Sequence, residues 1–379
     1  MRLTSPHLIA VASCAALATA WAAAAQAEVD FGKPGEPVKL IIGYQPYYTE
    51  SWSGVVINGK RLWEKYLPKG STAEFQVGLQ GAIIVNAMTG EKQHIGYVGD
   101  MPGIVSTFRV LPDRGGTDIR IVAVLGTSKQ QCNIFLVRND APQFKSGLEA
   151  VKWMDGKETS SPHGSCTDRF ARLAFQKAGI KPKTYLNQNI EVITTNFRAR
   201  KLDAAVIWEP TATKIVQSGL ARRAASGEDF DALDGGFMIM LNDLIKKRPD
   251  VHKAWLEAEL DAQLFLADVN NAPEVSQMAE KQTEQIDRKV LWASLYGANP
   301  KEQGGGDVKV QLDFIITERV QKLIDDATAF LHDLPNKPAA AAKIREGGVD
   351  DSVAREVLKG RGLTSPVGIV KEQPLSAFK

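Results

Sequence analysis

Cysteine is scarce: the chain has three in 379 residues, too few to build a scaffold on disulfides. It also lacks an excess of either charge, with 46 Lys+Arg against 44 Asp+Glu and a formal net charge of +2. That balance speaks against nucleic acid as a partner, because phosphate contacts need a concentrated basic face. His94, His163, His252 and His332 show no metal-ligand spacing, and neither H-E-x-x-H nor C-x-x-C occurs. A G-x-S-x-G elbow, a P-loop and a G-x-G-x-x-G fingerprint are missing as well. A hydrolase, metalloenzyme or dinucleotide enzyme would need a site with no sequence signature. Beyond the N-terminal segment, no stretch approaches the roughly 18 uninterrupted apolar residues of a membrane-spanning helix.

What is present is ordinary globular material, 44% hydrophobic and 24% charged. The length exceeds what one core comfortably holds, so two lobes are expected. Residues 1–27 read as an export signal: Arg2 supplies the positive region, Leu8 to Ala25 is small and apolar, and Ala25-Gln26-Ala27 is an A-x-A cleavage site. A lipoprotein signal ending at Cys14 is the competing reading, but the apolar run before it is short. Cleavage after Ala27 would leave Cys132 and Cys166. In an oxidising compartment they could pair; two separate, part-buried thiols are an equal alternative.

From Pro37 onward, short apolar runs alternate with helical patterns. Strands are expected at Val38–Tyr44, Thr72–Gln76, His94–Val98 and Ile119–Leu125, with helices at Gly54–Tyr66, Ala82–Thr89 and Met101–Arg109. This alternation implies a mostly parallel sheet covered on both faces. A second unit begins near Asn133, with strands at Asn133–Val137, Glu191–Thr194 and Ala204–Ile207. Its helices fall at Ser165–Ala178, Thr195–Lys201 and Thr211–Ser218. Ala171, Ala174, Phe175 and Ala178 make the first of these amphipathic, and Gly179 caps it. Phe237–Leu241 is expected to return as a strand to the first unit, and everything beyond Asn242 reads as helical. Gly304-Gly305-Gly306 reads as a flexible loop. The division is then 28–128 and 236–300 for one lobe, 129–235 for the other, and 301–379 as a helical extension.

Ligands of open α/β sheets bind beyond strand ends, often on helix N-termini. The first strand exits into Tyr44-Gln45-Pro46-Tyr47-Tyr48 and Trp52; Tyr44 suits the core, whereas the polar loop makes at least one of the other aromatics a ligand wall. Gln80-Gly81 opens a helix, and Asp100-Met101-Pro102 opens another, where Asp100 also suits an N-cap. Ser160 to Asp168 brings His163, Gly164, Ser165 and Cys166 to the start of the amphipathic helix. Free N–H groups there suit an oxyanion, although Ser165 or Thr167 could simply cap. Asp168 and Glu209 would repel a plain anion.

G-Y-Q-P (43–46), Y-V-G-D-M-P (97–102), the G-S-x-x-D of Gly164 to Asp168, and L-D-A-A-V-I-W-E-P (202–210) resemble, in order and spacing, one family. It is the periplasmic substrate-binding proteins of ABC importers in the nitrate, aliphatic sulfonate and taurine group, which includes binders of thiamine-precursor pyrimidines. The resemblance covers about Val38 to Met240. It implies a type II periplasmic binding protein, two α/β lobes closing on a ligand, with no catalysis and no cofactor or metal. ABC permease and ATPase subunits would be its partners, and the mature protein would be a periplasmic monomer. The ligand would sit between Tyr44-Gln45, Gln80-Gly81 and Asp100-Met101 on one side and Gly164-Ser165, Asp168 and Trp208-Glu209 on the other. Asp168 stands where alkanesulfonate binders commonly carry His, which would suit the amine of a taurine-like zwitterion. A sensor subunit is the alternative, as is import of nitrate, an aromatic acid or a pyrimidine. The pyrimidine-synthesising relatives carry a cysteine-rich motif that this chain lacks.

Overall fold

The computed structural model describes residues 29–109, 118–284, 286–334 and 343–378. The expected export signal and its cleavage site lie outside the described residues.

β1 (Lys39–Tyr44) leads through α1 (Trp52–Lys60) to β2 (Thr72–Val77), α2 (Gly81–Thr89), β3 (Ile95–Gly99), α3 (Asp100–Thr107) and β4 (Ile119–Ser128). The chain then crosses into β5 (Ile134–Arg138), α4 (Gly147–Trp153), β6 (Glu158–Ser161), α5 (Cys166–Ala178) and β7 (Thr184–Asn187). This unit is completed by α6 (Ile190–Arg198), β8 (Ala204–Ile207), α7 (Thr211–Gln217) and β9 (Ala221–Ser226). The return runs through β10 (Asp234–Leu241), α8 (Asn242–Lys247), α9 (Pro249–Ala267), α10 (Ala272–Gln282) and α11 (Arg288–Tyr296). β11 (Val308–Leu312), α12 (Glu318–Asp333), α13 (Ser352–Gly360) and β12 (Gly368–Lys371) follow.

Two sheets result. The larger has seven strands in the order β12-β11-β4-β10-β3-β1-β2, and the smaller has five in the order β7-β6-β8-β5-β9. In the larger sheet β1 lies parallel to β2 and β3, as the apolar run of β1 predicts for a strand covered on both faces. The sheet is mixed rather than mostly parallel, however. β10 comes back from the second unit running the other way and inserts antiparallel between β3 and β4. In the smaller sheet, successive β5 side chains serve opposite cores: Phe135 and Val137 pack with Phe170 and Phe175, while Ile134 and Leu136 pack with Ile193 and Phe197.

The chain crosses between the sheets twice, and the crossings are tied together. The Gly227 N–H donates to the Asn133 carbonyl at 3.0 Å, and Asn133 Nδ2 donates to the Ala232 carbonyl at 2.9 Å. A Cβ on Gly227 would fall 2.3 Å from Ala232 O, so glycine is needed for this approach.

Three further expectations are corrected. Glu191–Thr194 is not a strand but the first part of α6: Asn189 caps it by accepting from the Val192 N–H, and Ile190, Ile193 and Phe197 form its buried face. The β-branched run imitates a strand, but the i, i+3, i+7 spacing governs burial. The C-terminal region is not helical throughout, because β11 pairs with β4 and β12 pairs with β11, extending the larger sheet. Gly304–Gly306 is a packed turn: the Ser226 hydroxyl donates to Gly304 O at 2.7 Å, and a Cβ on Gly305 would fall 1.8 Å from Asn299 O.

Candidate functional site

α2, α3 and α5 all begin at the edge of one cavity of about 170 Å³. Gln80, Gly81 and Ala82 line it from the start of α2, Gly99 and Pro102 from the start of α3, and Ser165 and Cys166 from the start of α5. The first N–H groups of a helix have no acceptor within the helix, and the helix dipole adds partial positive charge there. None of the three N-cap residues, Gln80, Gly99 and Ser165, caps its helix through a side-chain hydrogen bond. Glycine at position 81 lets α2 and α3 begin side by side, since a Cβ there would meet Pro102 Cγ at 2.4 Å. Three such ends around one space leave partial positive charge there, although at α3 the Met101 N–H is already taken by Asp100.

The rest of the wall is largely apolar: Val85, Val105, Pro162 and the indole of Trp208, with Tyr48, Gln45 and Asn86 adding polar edges. Trp208 is fixed by its Nε1–H, which donates to Tyr47 O at 3.0 Å. Among the described lining residues Arg109 alone carries a fixed charge, and no carboxylate is present. His163 lines the wall next to Gly164, with its ring 4.6 Å from that of Tyr185, and burial holds its pKa below the ordinary value.

The carboxylates expected at the site stand one layer behind it, each held by an arginine. Asp100 is fully buried; its Oδ2 accepts from Arg169 at 2.7 Å and its Oδ1 from the Met101 N–H at 2.6 Å. Burial nevertheless raises its pKa, against the opposing pull of Arg169. Asp168 accepts from Arg172 and from the Tyr185 hydroxyl, both at 2.8 Å, and from the Gly164 N–H at 3.0 Å. It therefore shapes the loop that faces the cavity without lining it. Glu209 pairs with Arg223 at 2.7 Å and accepts from the Thr213 N–H and hydroxyl.

Of the sequence candidates, the structure brings Gln45, Gln80, Gly81, His163, Gly164, Ser165, Cys166 and Trp208 to the wall. It places Tyr44, Tyr47, Trp52, Asp100, Met101, Asp168 and Glu209 elsewhere. Tyr44 meets Phe75 edge-on, Trp52 donates to Pro46 O from full burial, and Met101 is fully buried. The Tyr47 hydroxyl accepts from the Glu284 N–H at 2.9 Å. Asp100 begins α3 instead of capping it; Gly99 is the cap residue. The Ser165 hydroxyl donates to Pro162 O at 2.6 Å and shares a hydrogen bond with Thr167, so it is not a cap either.

Sequence reasoning missed Val85 and Asn86 on α2, and Val105 and Arg109 running out of α3. Each set keeps helical spacing from an identified helix start, so the period alone could have extended the list. Cys132 and Cys166 form a disulfide with their Cα atoms 6.2 Å apart, which settles the open alternative. Among the described residues, the one His/Cys/Asp/Glu group close enough to hold a metal is Cys132, Cys166 and Asp234. Two of its three donors are tied up in that disulfide.

The two α/β units around a cleft define the fold of periplasmic binding proteins. The alkanesulfonate-binding protein SsuA from Xanthomonas axonopodis pv. citri, bound to MOPS, superposes with a TM-score of 0.62 at 20% identity, covering 83% of this chain and 98% of that one. The periplasmic nitrate-binding protein NrtA from Synechocystis PCC 6803 gives 0.66 at 15% identity, covering 89% and 93%. The desulfurization enzyme DszB shares the fold at 0.57 and 13% identity, covering 85% and 99%, so the fold by itself does not decide between binding and catalysis. A curated relative from Brucella abortus (strain 2308), named as a binding protein, is 26% identical over 233 residues, which are 60% of this chain and 67% of the relative. The chain belongs to the NMT1-like family, which matches residues 33–280.

Proposed function

We propose that this protein is the periplasmic substrate-binding component of an ABC importer and captures a small organic anion, a sulfonate first of all. The observation that carries this reading is the convergence of three helix N-termini and Arg109 on a cavity whose described lining holds no carboxylate. Negative charge would rest on backbone N–H groups, and an apolar body would lie against Val85, Val105 and Trp208. The absence of a lining carboxylate favours an anion over a zwitterion, because a taurine ammonium would find no counter-charge there.

The mechanism is differential affinity. One wall is built on the larger sheet and the other on the smaller, so a ligand touching both stabilises their approach, and the permease would read that closed form. No bond needs to be made, and we read the protein as a non-enzyme, monomeric and exported with cleavage after Ala27. The moving lobes would be 28–128 with the returning 236–300, and 129–235. The likeness to the periplasmic aliphatic sulphonate binding protein SsuA from Escherichia coli and to NrtA, together with the family match, supports the reading. Thermal melting against alkanesulfonates, taurine, nitrate, aromatic carboxylates and a hydroxymethylpyrimidine tests it. A ligand at 100 times its Kd adds about 2.7 kcal/mol. The expected result is a clear upward shift with an alkanesulfonate; a shift with the pyrimidine alone, or with none of the panel, overturns the ligand class.

A further inference from the structure

The disulfide lies where the two crossings meet the cavity. Cys132 sits in the first crossing and is fully buried, while Cys166 is the first residue of α5, lines the cavity and retains 5% exposure. The carboxyl of Asp234, at the start of β10, has an oxygen within 4.8 Å of both sulfurs. It is fully buried; neither oxygen makes a hydrogen bond of normal geometry, but the Cys132 backbone N–H and the Glu50 carboxyl approach it.

We propose that Cys132–Cys166 is a thiol-exchange site opening on the cavity, in which a low-molecular-weight thiol attacks Cys166 and Asp234 protonates the departing Cys132 sulfur. The thiolate bonds to Cys166 Sγ, and the S–S electron pair leaves on Cys132 Sγ. The Asp234 proton passes to that sulfur, leaving a carboxylate. A second thiol then attacks the mixed disulfide; two thiols are oxidised and the protein disulfide is reduced. Only Cys166 can be attacked, because Cys132 has no exposed surface.

The groups facing Asp234 fit the role. Asp100, from α3, disfavours a charge on Asp234; Glu50, from the loop before α1, is itself pushed towards its neutral form by burial and by Asp234, and Tyr48 lies beside it. Burial together with Asp100 raises the pKa of Asp234 against the pull of Arg169 on α5, which would offset the carboxylate once the proton has left. Reduction would free the first turn of α5 from the crossing. Its effect on binding rests on the anion-site reading; the exchange chemistry does not.

The test uses the ligand-free mature protein with reduced glutathione, trapped by acid and mapped by mass spectrometry. The expected adduct is on Cys166, and Asp234→Asn slows exchange about ten-fold in the native state while leaving it unchanged in guanidinium. Adduct on Cys132, or equal native rates, overturns the proposal. If Asp234→Asn does not fold, the single-cysteine variants decide. Iodoacetamide should alkylate the free Cys166 of Cys132→Ser at least ten-fold faster than the free Cys132 of Cys166→Ser, and equal rates would overturn the proposal.

Discussion

The molecule has a second, larger cavity against α12, of about 580 Å³, and comparing it with the first separates size from function. Lys129, Arg169, Arg319 and Lys322 line it, so it has more cations than the proposed site. Those cations are already engaged. Lys129 pairs with Asp231 and Lys322 with Asp326, both at 2.7 Å, and Arg319 donates to Thr127 and Gln311. Glu228, Asp231 and Asp326 share its wall. The smaller cavity has one charged side chain and three helix ends, of which α3 already gives its Met101 N–H to Asp100, and its acids are held by arginines. A receptor for anions is made by positive potential left uncompensated, not by the number of basic residues.

The largest effect should come from breaking the Asp100–Arg169 pair, which stands behind the smaller cavity while Arg169 also reaches the wall of the larger one. Arg169→Met leaves Asp100 buried without its partner and should cost about 3–5 kcal/mol in urea unfolding. Arg319→Met in the larger cavity should cost less than about 1 kcal/mol, since Arg319 is exposed and its hydrogen bonds go to the neutral Thr127 and Gln311, with Asp313 acting on it only through its charge. Equal losses would erase the distinction between the two regions.

Lys309 on β11, beside the larger cavity, sharpens the point. It is fully buried, its Nζ has no hydrogen-bond partner, and burial pushes its pKa down to about 7. The folded state thus holds the proton less tightly than the unfolded chain does. The resulting penalty is complete below pH 7 and fades as pH rises towards the ordinary lysine value. Lys309→Met should therefore stabilise by about 2–4 kcal/mol at pH 6 and by much less at pH 10. A gain that grows with pH would contradict this. The Cys132→Ser/Cys166→Ser double variant should lose about 2–4 kcal/mol, read by the same unfolding curves.

How far the sequence reveals these regions depends on what hides each element. β1 and β4 are near-continuous apolar runs, and α5 carries its stripe and its Gly179 cap, which takes a φ of 67°; all three are legible. β9 and β11 are not, because Arg222, Arg223, Lys309 and Gln311 interrupt their apolar pattern. Arg223 is tolerated inside only because Glu209 meets it from the end of β8, a long-range fact that no local pattern carries. The site divides in the same way. The starts of α2, α3 and α5 are legible to within one residue from local signals. That Asp168 turns to Arg172 and Tyr185, away from a ligand, was beyond sequence, because side-chain direction follows from partners seventeen residues or less along the chain but fixed by packing.

The smallest effects are on the proposed wall itself. Ala82→Asp places a carboxylate at the second residue of α2, where it should stabilise the helix by about 0.3–1 kcal/mol yet weaken sulfonate binding at least ten-fold. Arg109→Gln should weaken binding about three- to ten-fold, with stability changed by less than about 0.5 kcal/mol. Calorimetry reads the affinities and urea unfolding the stabilities; loss of both together would make the wall structural.

The most direct measurement compares 1-propanesulfonate with taurine by calorimetry on the mature protein, since the two differ by a methyl group in place of an ammonium. A wall without a described carboxylate predicts that propanesulfonate binds at least ten-fold tighter. Tighter binding of taurine, or no binding of either, would contradict the account.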